Sequence, residues 1–291
     1  MGFFQTFWSW LNSQLSSYIG ATTVKVATAL EPAVVTFATV YVMVWGYLQM
    51  TGKLDEPFVA GLKRLITLAV VLGVALKLWL YNALLVDTFY RAPVQLGAAL
   101  VGAADPVTTI DAIWNAGGAV AGYLVGNTGW SREAMGYYLA ATVIWVFTGL
   151  LCVYTMFLIA LSSIALSVLL ALGPLFFVAL LFDATRKLFE SWIAQLTNYA
   201  LINILTVLVA GLLLQIVASY SKQTLARGAG ITTMDTLDMV LVSVLVFLLM
   251  RQVMPIAAGL ATGVALSTFG TVSRLVMWGL RAPGNVLARI G

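Results

Sequence analysis

Asp183, Arg186, Lys187 and Glu190 place four charges within eight positions of a chain that elsewhere offers few reactive side chains. On a helix, Asp183 with Lys187 and Arg186 with Glu190 are opposite charges four residues apart, a spacing that stabilises a short helix and leaves a charged edge. Such a set supplies neither a nucleophile nor a metal site. Its chemistry is ionic, and it reads either as a solvated helix turn or as a docking surface for a partner subunit. Two further cations, Lys77 and Arg251, lie within apolar runs. Lys77 either snorkels to an interface, with Trp79 and Tyr81 beside it, or lines a pore; Arg251 poses the same choice of pore or interface.

Catalysis inside a membrane would need paired carboxylates, a serine with a lysine or histidine, or metal ligands at helical spacing within the apolar runs. The chain has no histidine, and its 11 acids are read as lying in loops or at the ends of those runs. Its single cysteine, Cys152, sits in mid-run, where a free thiol is usually a buried structural residue. A glycine loop with lysine for phosphate is also missing. The residues therefore argue against an ATPase, a protease and a proton-coupled pump, call for no metal and no cofactor, and describe a protein that is not an enzyme. A carrier that binds ions through backbone carbonyls stays open.

What must position these side chains is a membrane bundle. Hydrophobic residues make up 62% of the chain and charged ones 9%, against roughly 25% charged in soluble domains. Apolar runs long enough to cross about 30 Å of hydrocarbon recur along its length. The expected fold is all-α, a polytopic membrane helical bundle with five or six transmembrane helices, an N-terminal amphipathic helix and a long, partly helical loop after the second span. It forms a single membrane domain over residues 1–291.

Residues 1–29 form the amphipathic segment, whose first 24 positions carry no charge and so lack the basic region of a signal peptide. Phe3, Phe4, Phe7, Trp8 and Leu11 recur at helical spacing opposite Gln5, Ser9 and Asn12, for a membrane interface or a partner groove. Spans one and two occupy residues 30–86, with Glu31-Pro32 as a helix first turn. Residues 87–135 form a glycine-rich loop in which Asp105-Pro106 starts a helix and Gly118, Gly122 and Gly126 recur every four residues, either as a packing ridge or as a loose glycine loop.

The remaining spans fill residues 136–268. Residues 137–182 carry no charge and read as a hairpin turning near Ser162-Ser163, before the elbow at 183–192. A fifth run begins at about residue 196, and a sixth, interrupted by Arg251, contains the packing pair Gly259 and Gly263. The tail at 269–291 is basic and free of acids, as on a cytoplasmic side. Six full spans put both termini in the cytoplasm; five put the N-terminus and the long loop outside.

Inside its uncharged run, Gly173-Pro174 removes one backbone donor, which lipid tolerates only where neighbouring protein satisfies the freed carbonyl. Gly173-Pro174, the aromatic run through Phe182 and the charged turn ending at Trp192 resemble the central signature of the TrbL family, polytopic inner-membrane subunits of type IV secretion systems, and the segment from Pro255 to Gly263 adds to the likeness. The resemblance implies a Gram-negative inner-membrane subunit that forms an oligomeric channel or platform for conjugation or effector translocation. Its implied partners are further copies of itself, the pilin, the minor pilus tip protein, other inner-membrane secretion subunits and the lipid bilayer. It further implies a periplasmic N-terminus and long loop, and a cytoplasmic C-terminus. Gly173, Pro174, Asp183, Arg186, Lys187, Glu190 and Trp192 would then be structural and partner-docking residues. With only Arg91 and Arg132 as bases in the long loop, no specific nucleic-acid site is expected. A small-molecule carrier or permease is the alternative.

Overall fold

The computed structural model describes residues 2–52, 58–102, 107–126, 132–180, 185–227 and 233–280. Asp183, the Asp105-Pro106 pair, most of the turn after Met50 and the tail from residue 281 lie outside the described residues. In chain order the helices are α1 (Phe3–Met50), α2 (Phe58–Leu76), α3 (Leu78–Tyr81), a π-helical stretch (Asn82–Arg91), α4 (Ala92–Val101), α5 (Thr108–Gly126), α6 (Arg132–Ala171), α7 (Gly173–Ala179), α8 (Arg186–Arg227) and α9 (Thr233–Leu280). Everything with regular structure among the described residues is helical, as an apolar chain that must satisfy its backbone internally requires.

Four helices are long and apolar enough to cross a membrane, within Phe3–Met50, Met135–Ala171, Arg186–Ile216 and Val240–Thr262. A fifth crossing results if the pair Leu65–Leu76 and Leu78–Val101, bent by 86°, counts as one broken span.

The structure bears on four sequence expectations. The amphipathic segment and the first span are one helix, α1, with Pro32 inside it and not at its start. The loop, expected to be partly helical, is helical over residues 87–101, which continue the bent pair, and over Thr108–Gly126 in α5. No turn occurs at Ser162-Ser163: α6 runs through both, because Ser162 donates its hydroxyl to the Ile159 carbonyl (2.9 Å) and the Ser163 hydroxyl accepts from Asn203 (3.3 Å). Arg251 does not interrupt α9, since a single cation leaves the backbone ladder intact.

Contacts divide the chain into two compact units. The first comprises residues 1–16, 89–166 and 198–259. Its core gathers Phe4, Trp8 and Leu11 of α1, Ile110, Ile113 and Val120 of α5, Ile144, Leu151 and Leu158 of α6, Ile202 and Val207 of α8, and Val246 and Met250 of α9. Helices approach closely in it where one side chain is only hydrogen: a Cβ on Gly117 would come within 2.6 Å of Thr148, and one on Gly211 within 2.8 Å of Val101. Cys152 is buried here, its thiol 3.7 Å from the Ile110 carbonyl.

The second unit comprises residues 17–88, 167–197 and 260–291. It contains the helix breaks at Lys77 and Leu172, and α7 packs against α2 within it.

Candidate functional site

Pro174 has no N–H, so the carbonyl four residues earlier, that of Leu170, loses its helical partner. The structure supplies a replacement from another helix: the Tyr81 hydroxyl donates to the Leu170 carbonyl at 2.5 Å. One residue before, the Leu169 carbonyl accepts the Trp192 indole N–H at 2.9 Å. Two donors, one from α3 and one from α8, thus satisfy the broken end of α6. Leu172, with φ −87° and ψ −1°, carries the turn from α6 into α7.

Gly173 is fixed by the same contact. A Cβ on it would collide with the Tyr81 phenol, so only glycine lets the hydroxyl reach the carbonyl beside it.

Trp192 is 2% exposed and sits among rings. It stacks on Phe176 with centroids 5.4 Å apart and planes 11° from parallel, and meets Phe177 edge-on at 5.8 Å and Phe189 at 5.5 Å. Phe177 in turn meets Tyr81 edge-on. Offset and edge-to-face ring pairs add about 0.5–1.5 kcal/mol each beyond the area they bury. The aromatic run after the proline therefore clamps α7 to the first turns of α8.

Outside this cluster the elbow turns polar. The Thr185 hydroxyl donates to the Ala179 carbonyl (2.8 Å), closing α7, and the Leu188 N–H bonds to the Thr185 carbonyl (2.9 Å) as α8 begins. Arg186 pairs with Glu190 at 3.6 Å, the four-residue pairing the spacing suggested. Lys187 and Leu188 are exposed beside it. An interior of rings with a charged outer edge is a shaped corner, able to hold two helices at a fixed angle and to meet a neighbour.

The other sequence candidates do not join this site. Lys77 is exposed, in extended backbone at the break between α2 and α3. Arg251 belongs to the first unit and is exposed midway along the apolar stretch of α9. Gly118, Gly122, Gly126 and Gly259 have open space where a Cβ would stand, so among the described residues none of them packs closely against another helix, and the surroundings of Gly263 lie outside the described residues. Close approaches fall instead at glycines the spacing rule did not select, Gly61, Gly117 and Gly211 among them.

Two residues escaped the sequence reading. Tyr81 could have been found by asking which donor satisfies the carbonyl freed by Pro174. Asp111, buried in the first unit, accepts the Phe4 N–H at 3.2 Å and the Gln5 N–H at 3.0 Å, so its carboxylate caps the N-terminus of α1 from 106 residues away. The signal was a helix whose first residues, Gly2, Phe3 and Phe4, offer no capping side chain of their own.

Apolar helices of spanning length, a proline break satisfied by protein donors and a charged elbow define a polytopic α-helical membrane protein. The family described as TrbL/VirB6 plasmid conjugal transfer protein matches residues 38–253, most of the chain and the whole of the elbow. The chain belongs to this family. Among similar proteins, the type IV secretion system protein VirB6 of Bartonella quintana is 21% identical over 215 residues, covering 74% of this chain and 67% of its own. Protein VirB6 of Agrobacterium fabrum is 29% identical over 189 residues, 62% of each chain.

Proposed function

We propose that the chain is an inner-membrane channel or platform subunit of a type IV secretion machine, working as a homo-oligomer in conjugation or effector translocation. Family membership supports the machine. The observation that supports the channel or platform role is Arg251. It is exposed within an apolar spanning stretch, and no ion pair to it exists among the described residues. A cation at that depth is costly against lipid and is retained where it meets water or a partner's polar groups. A ring of copies or a neighbouring subunit would supply either on that face.

In this reading the five crossings leave the N-terminus and the α5 segment in the periplasm, with the elbow and the basic tail in the cytoplasm. Arg186, Lys187 and Arg274 then share the cytoplasmic side, as positive charge near span ends favours. The elbow's exposed edge at Lys187 and Leu188 meets other inner-membrane subunits. The α5 segment faces the pilin and the minor pilus tip protein, supporting pilus assembly and substrate passage. The open glycines at 118, 122 and 126 are a ridge for a helix of another chain.

Extraction from the host membrane in mild detergent tests the proposal. The wild-type chain is expected to run as an oligomer and to recover other secretion subunits, and Arg251→Glu to disperse it. A stable monomer that recovers none of them overturns the reading. The alternative, a small-molecule carrier, draws on Lys77 at a helix break and requires transport by the purified chain alone in liposomes, lost in Lys77→Ala.

A further inference from the structure

The second unit contains a cavity of about 80 Å³ between α1 and the break that separates α2 from α3. Thr23, Thr28 and Glu31 of α1 line it, with Ala75 and Leu76 at the end of α2. Leu78 and Tyr81 of α3 complete that side, and the lining side chains bring only oxygen, the Tyr81 hydroxyl being already given to the Leu170 carbonyl.

Each wall is short of donors for its own reason. Pro32 has no N–H to give the carbonyl four residues before it, that of Thr28. At the other wall the Lys77 N–H still reaches the Gly73 carbonyl (3.0 Å), but the chain then turns, and the carbonyls of Val74, Ala75 and Leu76 lose the turn that would have continued the helix. That end of α2 also carries the negative pole of the helix dipole. On the α1 wall stands the Thr23 hydroxyl, on a residue 1% exposed, whose oxygen has no hydrogen-bond partner among the described residues. A buried hydroxyl without a partner costs about 1–3 kcal/mol, so its presence beside a cavity calls for something to bind.

Glu31 supplies the net charge. It is exposed directly after an apolar run, on a helix whose later exposed residues include Val35, Phe37 and Met43. No ion pair joins Glu31 to Lys77 or to any other cation among the described residues. A carboxylate, two hydroxyls and free carbonyls at a broken helix are the ligand set with which discontinuous membrane helices hold alkali ions. With no nitrogen or sulfur donor and one negative charge, the set suits a hard monovalent ion better than a transition metal. A water needs roughly 10–15 Å³ of such space, so the cavity has room for an ion with part of its hydration shell.

We propose that this cavity is a binding site for a monovalent metal cation, held by the Glu31 carboxylate, the Thr23 and Thr28 oxygens and the carbonyl end of α2. The ion neutralises Glu31 and ties α1 to the bend at Lys77, so the bent pair is braced only when the site is filled.

The test is the thermal unfolding of the full chain in detergent, in sodium, potassium or N-methyl-D-glucamine chloride at equal ionic strength. The midpoint should rise by several degrees, saturably, with sodium or potassium and not with the organic cation. Glu31→Gln and Thr23→Val should each lose that rise, Thr23→Val from a higher midpoint in N-methyl-D-glucamine because it removes the unpartnered hydroxyl, and Lys77→Met should keep the rise. An equal rise with all three cations, or a full rise in both Glu31→Gln and Thr23→Val, overturns the proposal. A rise that appears only in Lys77→Met overturns it too, because the lysine's own ammonium would then be the occupant.

Discussion

Tyr81→Phe removes one oxygen and leaves the ring contacts with Phe177 in place. What it withdraws is the donor to the Leu170 carbonyl, which is buried and which Pro174 has already deprived of a helical N–H. Leaving such a group unsatisfied costs about 1–3 kcal/mol. Hydrogen bonds between membrane helices average only about 0.6 kcal/mol, because separated helices find other partners. That discount is weaker here: the proline denies Leu170 its own backbone partner in the separated helix as well. The expected loss is therefore near the upper membrane range, about 1–2 kcal/mol. Pro174→Ala tests the cause, since it restores an N–H that can bond to Leu170. In that background the Tyr81→Phe penalty should shrink by at least about 0.5 kcal/mol, within the usual coupling of contacting residues. Reversible unfolding of the four proteins in mixed detergent micelles gives the cycle directly. Equal penalties in the two backgrounds would refute the claim that Tyr81 replaces the bond Pro174 removed.

Trp192→Phe keeps a ring beside Phe176 but loses the bond to Leu169, at a cost of about 1–3 kcal/mol, while Trp192→Ala also opens a cavity and should lose about 3–5 kcal/mol; unfolding midpoints check the order. Gly173→Ala drives a methyl against the Tyr81 phenol and should cost about 1–3 kcal/mol through overpacking, checked by the same unfolding measurement. Asp111→Asn gives up the charge and one acceptor at the start of α1, for about 0.5–2 kcal/mol, and should speed hydrogen exchange at the Phe4 and Gln5 amides; unchanged exchange there would show that the cap is idle. Arg186→Glu sets like charges four residues apart with Glu190 and should leave membrane insertion intact while blocking assembly, so normal secretion and pilus formation in this variant would refute a docking role for the elbow.

How much of this was legible depended on whether a feature's physical cause was local. Spanning length and helix type come from run length and charge, and both were readable in advance. So was the demand created by Gly173-Pro174, because a proline's missing donor is a property of one residue. The supplier of the replacement was not readable: Tyr81 lies 89 positions from Leu170, and nothing in its neighbourhood marks it. Boundaries failed where a local cue was outvoted by packing. Ser162-Ser163 resembled a turn, yet within a buried helix both hydroxyls find acceptors or donors and the ladder continues. The glycine rule failed for a related reason. A four-residue repeat marks a stripe on a helix, but tertiary contact decides whether the stripe meets a neighbour, and here the adjoining Gly117 does and Gly118 does not.

The prolines inside the apolar helices unify the rest. Pro32 and Pro255 lie inside α1 and α9 and Pro174 in the first turn of α7; each frees the carbonyl four residues before it, those of Thr28, Arg251 and Leu170. At Pro174 the chain answers internally with Tyr81, and a fixed corner results. At Pro32 the freed carbonyl belongs to a residue lining a cavity that also contains an unpartnered hydroxyl. At Pro255 it belongs to the residue whose side chain is exposed in mid-span. The same backbone defect therefore has a protein donor in one place and adjoins the proposed ion site and oligomer contact in the other two. If that assignment holds, Pro32→Ala should weaken the sodium- or potassium-dependent rise in unfolding midpoint without altering oligomer size, and Pro255→Ala should do the reverse. Parallel effects of the two substitutions on both readouts would mean that the prolines merely bend helices, and the separation of roles would fall.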